Sequence, residues 1–303
     1  MQSFPVQPRL AETESAEGRR RLPEWLKKPA GELNKIHQLK RDLRIRKLHT
    51  VCEEARCPNL GECWSRGTAT VMLMGDICTR ACGFCSVKTG KPLALDPDEP
   101  IQVAQQVKLL GLKHVVITTV TRDDLADGGA AHFAETIRAM REITPNTRVE
   151  VLTSDFNGDE KAIATLCEAD PDVMSHNLET VERLTPSVRS RAKYQRSLEM
   201  LKFSKKCLPH RLTKSGLMAG LGETPEEVIQ ALQDLYNVGV RCITIGQYLQ
   251  PTKKHLPVAE FVEPKQFELY QKAALEMGYS HAFCGPFVRS SYMAEQVFEH
   301  QMS

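Results

Sequence analysis

No stretch of this 303-residue sequence approaches the roughly 20 consecutive apolar residues of a membrane-spanning helix. A helical membrane protein is therefore not expected. Charge of one sign is also lacking: the formal net charge is +2, too small to point to nucleic acid or a lipid surface. The N-terminus has no apolar signal-peptide core. It carries Arg19, Arg20, Arg21, Lys27 and Lys28 beside Glu12, Glu14, Glu17 and Glu24, whereas organelle transit peptides are poor in acids. The expected location is the cytoplasm, and residues 1–30 read as a polar, loosely ordered arm. There is no internal repeat and no low-complexity tract, which argues against a solenoid. No Gly-Lys-Ser/Thr follows the glycine-rich stretch 215–223, which excludes a P-loop there.

What is abundant is cysteine. Ten occur, and six of them fall between positions 52 and 85. Without a secretion signal, such a block points to metal or redox chemistry rather than disulfides. The other four, Cys167, Cys207, Cys242 and Cys284, are scattered. They are expected to pack as small hydrophobes, with Cys284 in a Phe-Cys-Gly-Pro turn.

Residues 31–50 read as a charged helix leading into the block. After it, strand and helix alternate. Strands are expected at 70–77, 114–120, 149–156, from 173, from 212 and at 242–249. Helices are expected at 131–143, 161–169, 197–207, 225–239 and 264–278. Pro225 at a first turn and Gly239 and Gly278 at helix ends are the usual punctuation. Such alternation implies parallel strands with right-handed crossovers, about six of them. A partial barrel and a doubly wound sheet both fit, and either places functional loops at the carboxyl ends of the strands.

Two cysteine motifs carry the chemistry. Cys78-Thr-Arg-Ala-Cys82-Gly-Phe-Cys85 puts three thiolates on one tight loop after a strand. Three thiolates hold three irons of a [4Fe–4S] cube and leave the fourth open to a substrate. Structural zinc prefers four protein ligands, and the second pair is missing here. Upstream, Cys52, Cys57 and Cys63 have the spacing C-x4-C-x5-C. Taken alone, that trio also fits a zinc site with a remote fourth ligand.

The first motif, with Phe84 before its last cysteine, resembles the signature of the radical S-adenosylmethionine superfamily. The string VCEEARCPNLGECW resembles the auxiliary-cluster motif of lipoyl synthases, and Arg289-Ser290-Ser291-Tyr292 resembles their C-terminal R-S-S-Y segment. The resemblance covers about residues 30–295. It implies an α/β fold, a partial (β/α)6 barrel over 70–280. An auxiliary-cluster extension (31–69) precedes it, and a closing segment (281–303) follows. It implies two [4Fe–4S] clusters, one on Cys78, Cys82 and Cys85, the other on Cys52, Cys57, Cys63 and Ser291. It places S-adenosylmethionine near Gly128, Gly129, Asn177, Glu179 and Gly220. Read alone, Asp127-Gly128-Gly129 is an ordinary turn, R-S-S-Y a polar turn or cap, and His176-Asn177-Leu178-Glu179-Thr180 a hydrogen-bonded barrel rim. Gln247–Thr252 matches a further family segment. Lys253, Lys254 and His255 after it are a solvated run or a rim for an acidic carrier. Departures are small: Ala81, Gly83 and Ala219 replace more usual residues, and none removes a ligand.

The activity implied by the resemblance is insertion of two sulfurs, at C6 and C8, into an octanoyl chain on a carrier lysine. Each insertion uses one 5′-deoxyadenosyl radical, and the auxiliary cluster donates the sulfur. The implied partners are octanoylated carrier domains of 2-oxoacid dehydrogenases and the glycine cleavage H protein, an electron donor such as flavodoxin or ferredoxin, and a cluster-repair carrier. An alkyl C–H bond has no useful acidity, so no tuned base removes its proton. The cofactor does the difficult step, and the protein positions carbon, radical and sulfide. The competing readings are another radical sulfur-inserting enzyme and a zinc-binding interaction protein, which iron and sulfide analysis would separate.

Overall fold

Seven parallel strands form the frame of the molecule. The structure is a computed structural model and describes residues 22–27, 49, 50, 57, 59, 62, 63, 66 and 68–301. Cys52, most of the N-terminal arm and most of the helix expected over 31–50 lie outside the described residues. The last two positions of that expected helix, His49–Thr50, instead form a short strand, β1. The other strands are β2 (Thr68–Leu73), β3 (Ile77–Cys78), β4 (Lys88–Thr89), β5 (His114–Thr119), β6 (Arg148–Leu152), β7 (Val173–Ser175), β8 (Leu212–Ala219), β9 (Cys242–Gln247) and β10 (His281–Gly285). The main sheet runs β1-β2-β5-β6-β7-β8-β9-β10, and β3 pairs with β4 separately. Among the described residues only β1 runs antiparallel to its neighbour in the main sheet. One helix or more links each parallel strand to the next: α1 (Glu99–Leu109), α2 (Ala130–Ile143), α3 (Glu160–Glu168), α4 (Thr185–Val188) with α5 (Tyr194–Cys207), α6 (Pro225–Asn237) and α7 (Pro264–Met277). This matches the partial barrel expected, with a seventh parallel strand, β10, beyond the six.

Strand alternation sorts the side chains. Val115, Ile117, Val149, Val151, Met174, Leu217, Ile243 and Ile245 pack outward against the helices in the main core. The other face is polar for a buried surface. There Lys214 Nζ lies 2.9 Å from Glu150 Oε1, and both side chains are 1% exposed. The His114 ring is 3.5 Å from the same carboxylate. Burial opposes the charge of Glu150, but Lys214 and His114 outweigh it and hold the carboxyl below its usual range.

Helix ends follow the sequence punctuation. Thr224 and Glu227 form a capping box at the start of α6, behind which Pro225 fills the first turn. Gly278 ends α7 at φ 100°. Among the described residues no helix is long and apolar enough to cross a membrane.

The last segment spans the barrel from end to end. At the carboxyl end of β9 the Val288 carbonyl presses on Gly246, where an added Cβ would meet it at 2.0 Å. The chain then forms a 3-10 helix, Ala294–Gln301. Val297 packs with Val173 and Cys242 at the amino ends of β7 and β9. The Phe298 ring lies 5.7 Å from that of His114 and 5.1 Å from the Arg148 guanidinium.

Candidate functional site

Because the strands are parallel, the loops after β2, β5, β6, β7, β8 and β9 all emerge at one end. The strand expected to run unbroken to Ile77 stops at Leu73, because Met74 and Gly75 turn to φ 65° and 87°. The chain then re-forms as β3, which ends on Cys78. Pairing of β3 with β4, and a bond from Gly90 N–H to the Cys78 carbonyl (3.0 Å), close the neck of the cysteine loop. Cys78 Sγ accepts N–H groups from Arg80 (3.4 Å) and Thr121 (3.3 Å). Gly83 N–H donates to the Val188 carbonyl, and Leu256 N–H donates to the Gly83 carbonyl, both at 2.9 Å. His255 Nε2 donates to the Cys85 carbonyl at 2.9 Å. His255 therefore braces the loop rather than decorating the rim, whereas Lys253 and Lys254 are exposed.

Burial raises two thiols of this loop. Cys82 is pushed up to about 11 by burial, and the nearby Arg189 charge partly offsets this. Cys85 is raised by burial too. Among the described residues no group of three His, Cys, Asp or Glu side chains is drawn together to hold a single metal ion. A cube attaches each thiolate to a different iron, so it does not require the three to meet at a point.

Around the loop lie the other expected residues. Gly128 and Gly129 have φ of 60° and 90°, and the Met74 sulfur sits 2.4 Å from where a Cβ of Gly129 would be. Asp127 caps the start of α2 by accepting from the N–H groups of Gly129 (2.9 Å) and Ala131 (2.8 Å). Glu179 adopts φ 67° at the end of the segment after β7. Its carboxyl is raised by burial, against the pull of Arg189 and Asn177. Asn177 Nδ2 donates to Glu179 Oε1 at 3.2 Å, while its buried Oδ1 has no hydrogen-bond partner. That oxygen stands 2.8 Å from where a Cβ of Gly216 would be, so the glycine leaves room beside it. Gly220 is packed against Gln247 and the Glu260 carbonyl. His176, in the segment that read alone as a hydrogen-bonded rim, is 1% exposed between the Thr153 carbonyl and the Ser197 hydroxyl.

The C-terminal segment meets the upstream cysteine motif. Asn59 Nδ2 donates to the Phe287 carbonyl (2.6 Å), and the Tyr292 hydroxyl donates to Glu62 Oε1 (3.1 Å). Arg66 lies 3.7 Å from Glu295. The half-buried Arg289 guanidinium is close enough to Cys57 for their charges to interact. These contacts set the residues flanking Ser291 around Cys57 and Cys63. Of the remaining cysteines, Cys167 and Cys242 are buried and Cys207 is exposed. Cys284 lies in β10, not in a turn.

Two family models match this chain. One for the radical SAM superfamily matches residues 72–235, and one for the N-terminal domain of lipoyl synthase matches residues 7–57. The lipoyl synthase of Rubrobacter xylanophilus is 54% identical over 282 residues, 93% of this chain and 88% of that protein. The chain belongs to the lipoyl synthase family. The lipoyl synthase of Shouchella clausii is 53% identical, covering 97% of this chain and 96% of its own length. Among solved structures, methylornithine synthase shares the fold at a TM-score of 0.53 and 15% identity, over 78% of this chain and 72% of that one. Streptococcus suis SuiB bound to S-adenosylmethionine aligns at 0.56 and 12%, over 82% and 59%. Like its family, this chain is a radical sulfur-inserting enzyme.

Residues that the sequence reading passed over are also here. Arg189, 7% exposed, faces both Cys82 and Glu179. Arg80, in the cysteine loop, binds both Asp123 and Asp155. Arg80 stood in plain view between Cys78 and Cys82, but its two partners are 43 and 75 positions away.

Proposed function

We propose that this chain inserts two sulfur atoms, at C6 and C8, into an octanoyl group amide-linked to a lysine of a lipoyl carrier protein. When bound, one [4Fe–4S] cluster with S-adenosylmethionine supplies the hydrogen-abstracting radical, and a second cluster supplies the sulfur. Cys78, Cys82 and Cys85 hold the first. Cys52, Cys57 and Cys63, in the 31–69 extension, hold the second together with Ser291. The thiols must lose their protons to bind iron, and Arg189 favours the thiolate of Cys82. The same guanidinium offers a carboxylate ligand a partner beside the open iron. The unpartnered Asn177 Oδ1, with the Glu179 carboxyl beside it, offers acceptors to an amino or hydroxyl group. The positive φ of Gly128 and Gly129 lets backbone approach the ligand closely. Lys253 and Lys254, on the loop that braces Cys85, offer a basic rim to an acidic carrier.

The observation that carries this reading is the meeting of the C-terminal segment with the Cys57–Cys63 stretch, at the same end of the barrel as the radical-motif loop. The test is anaerobic. Reconstituted protein is mixed with an octanoyl-lysine peptide, S-adenosylmethionine and a strong reductant, and the products are read by mass spectrometry. A dithiolated peptide and about eight irons per chain are expected. Zinc in place of iron, or S-adenosylmethionine cleavage with no sulfur in the peptide, would overturn it.

A further inference from the structure

Arg80 lies between two of the proposed ligand cysteines, yet its side chain turns inward and is 6% exposed as a residue. Its Nε and Nη2 grasp both oxygens of Asp123, each at 2.8 Å. Nη2 also reaches Asp155 Oδ1 and Asn157 Oδ1, both at 2.8 Å. Asn157 Nδ2 donates back to Asp123 Oδ1 at 2.9 Å. Asp155 is fully buried, and its other oxygen accepts from Arg196 Nε at 2.8 Å. One guanidinium thus ties three loops together: the cysteine loop, the loop after β5 and the loop after β6.

The third of these loops is wound tightly. Phe156, Asn157 and Gly158 take φ of 44°, 52° and 82° in succession. Two non-glycine residues in the left-handed region persist only where their surroundings hold them. Here the holders are the Asp155 carboxylate, which accepts from Asn157 N–H at 3.2 Å, and Arg80 itself. The turn presses the Phe156 ring against Gly128, where an added Cβ would lie 3.1 Å from Cδ1. A path of direct contacts therefore runs from the cysteine loop through Arg80 and Asn157 to the Gly128–Gly129 turn.

We infer that Arg80 is a positioning residue. By locking the Cys78–Cys85 loop onto the loops after β5 and β6, it fixes how the cluster presents its open iron to S-adenosylmethionine beside Gly128 and Gly129. The inference rests on the assignment of Cys78, Cys82 and Cys85 as the cluster ligands. A forked, bidentate contact fixes orientation, which a single ammonium does not.

The test compares full-chain wild type, Arg80→Lys, Arg80→Met and Asp123→Asn, all reconstituted anaerobically. Iron and sulfide are counted. Reduced samples are read by electron paramagnetic resonance with and without S-adenosylmethionine, and 5′-deoxyadenosine release is followed against S-adenosylmethionine concentration. Both Arg80 variants should keep wild-type iron but lose or shift the spectral change that S-adenosylmethionine induces. Release should fall about 10- to 100-fold, as is usual when an outer support of a metal site is removed. Lysine should not rescue, and Asp123→Asn, which leaves the Asp155 contact, should be milder than either. A wild-type spectrum and rate in Arg80→Met, or full rescue by lysine, would overturn the inference. If the Arg80 variants do not fold, Asp123→Asn decides: an unchanged spectrum and rate in it also overturns the idea. If wild type itself shows no response to S-adenosylmethionine, the ligand assignment has failed and the inference falls with it.

Discussion

His176 has both ring nitrogens engaged. Nδ1 donates to the Thr153 carbonyl at 2.8 Å, and the Ser197 hydroxyl donates to Nε2 at 2.9 Å. Burial, with the Arg189 charge second, holds the ring down to about 4. The unfolded chain protonates this ring below about pH 6.5, while the folded protein keeps it neutral until about pH 4. The contribution is therefore complete above about pH 6.5 and is lost as pH falls towards 4, by up to roughly 3 kcal/mol. His176→Gln should flatten that part of the stability profile, which urea unfolding at a series of pH values would reveal. An equally steep profile in the variant would assign the slope to the carboxylates. Lys214 and Glu150 set a second test. Lys214→Met strands a buried carboxylate and should cost about 3–5 kcal/mol, whereas adding Glu150→Leu should recover most of it. Denaturant midpoints of the single and double variants measure both numbers.

At the scale of elements, legibility followed local punctuation. The helices α2, α3, α5, α6 and α7 were readable because apolar spacing and terminal residues agree within each segment. By contrast α1 went unread, and two of its large apolar residues, Ile101 and Leu109, are in fact exposed, so its stripe is weak. The strand β10 was hidden because Gly285-Pro286 made its end look like a turn, while its pairing with β9 is non-local. The cysteine motifs were legible because each is contiguous. The clamp of Arg80, Asp123 and Asp155 was not, since only sheet order brings the loops after β2, β5 and β6 side by side. The 3-10 helix Ala294–Gln301 was likewise invisible, because its partners sit at the far ends of β7 and β9. Its anchor, Val297, is fully buried. Val297→Ala should cost about 2 kcal/mol from lost burial and the space left behind, read as a lowered melting temperature. An unchanged melting temperature would mean that the helix adds nothing to the core.

For the molecule as a whole, the two cysteine motifs and the C-terminal segment have to be assembled together. If Ser291 completes the second cluster, Ser291→Ala should leave S-adenosylmethionine cleavage intact and suppress sulfur transfer, while Ser290→Ala stays close to wild type. Counting dithiolated and unmodified peptide by mass spectrometry checks this, and full product from Ser291→Ala would remove the serine from the ligand set. Ser291→Cys should hold the cluster at least as well, because thiolate is the softer ligand. The end-to-end course of residues 286–301 also has a consequence for the order of synthesis. A ribosome delivers β2 to β9 before it delivers Val297 and Phe298. During that interval Val173 and Cys242 lack their cover, and the Cys57–Cys63 stretch lacks Phe287, Arg289 and Tyr292. Cover for the amino ends of β7 and β9 and the partners of Asn59 and Glu62, beside Cys57 and Cys63, thus come from one stretch of chain that follows every barrel strand.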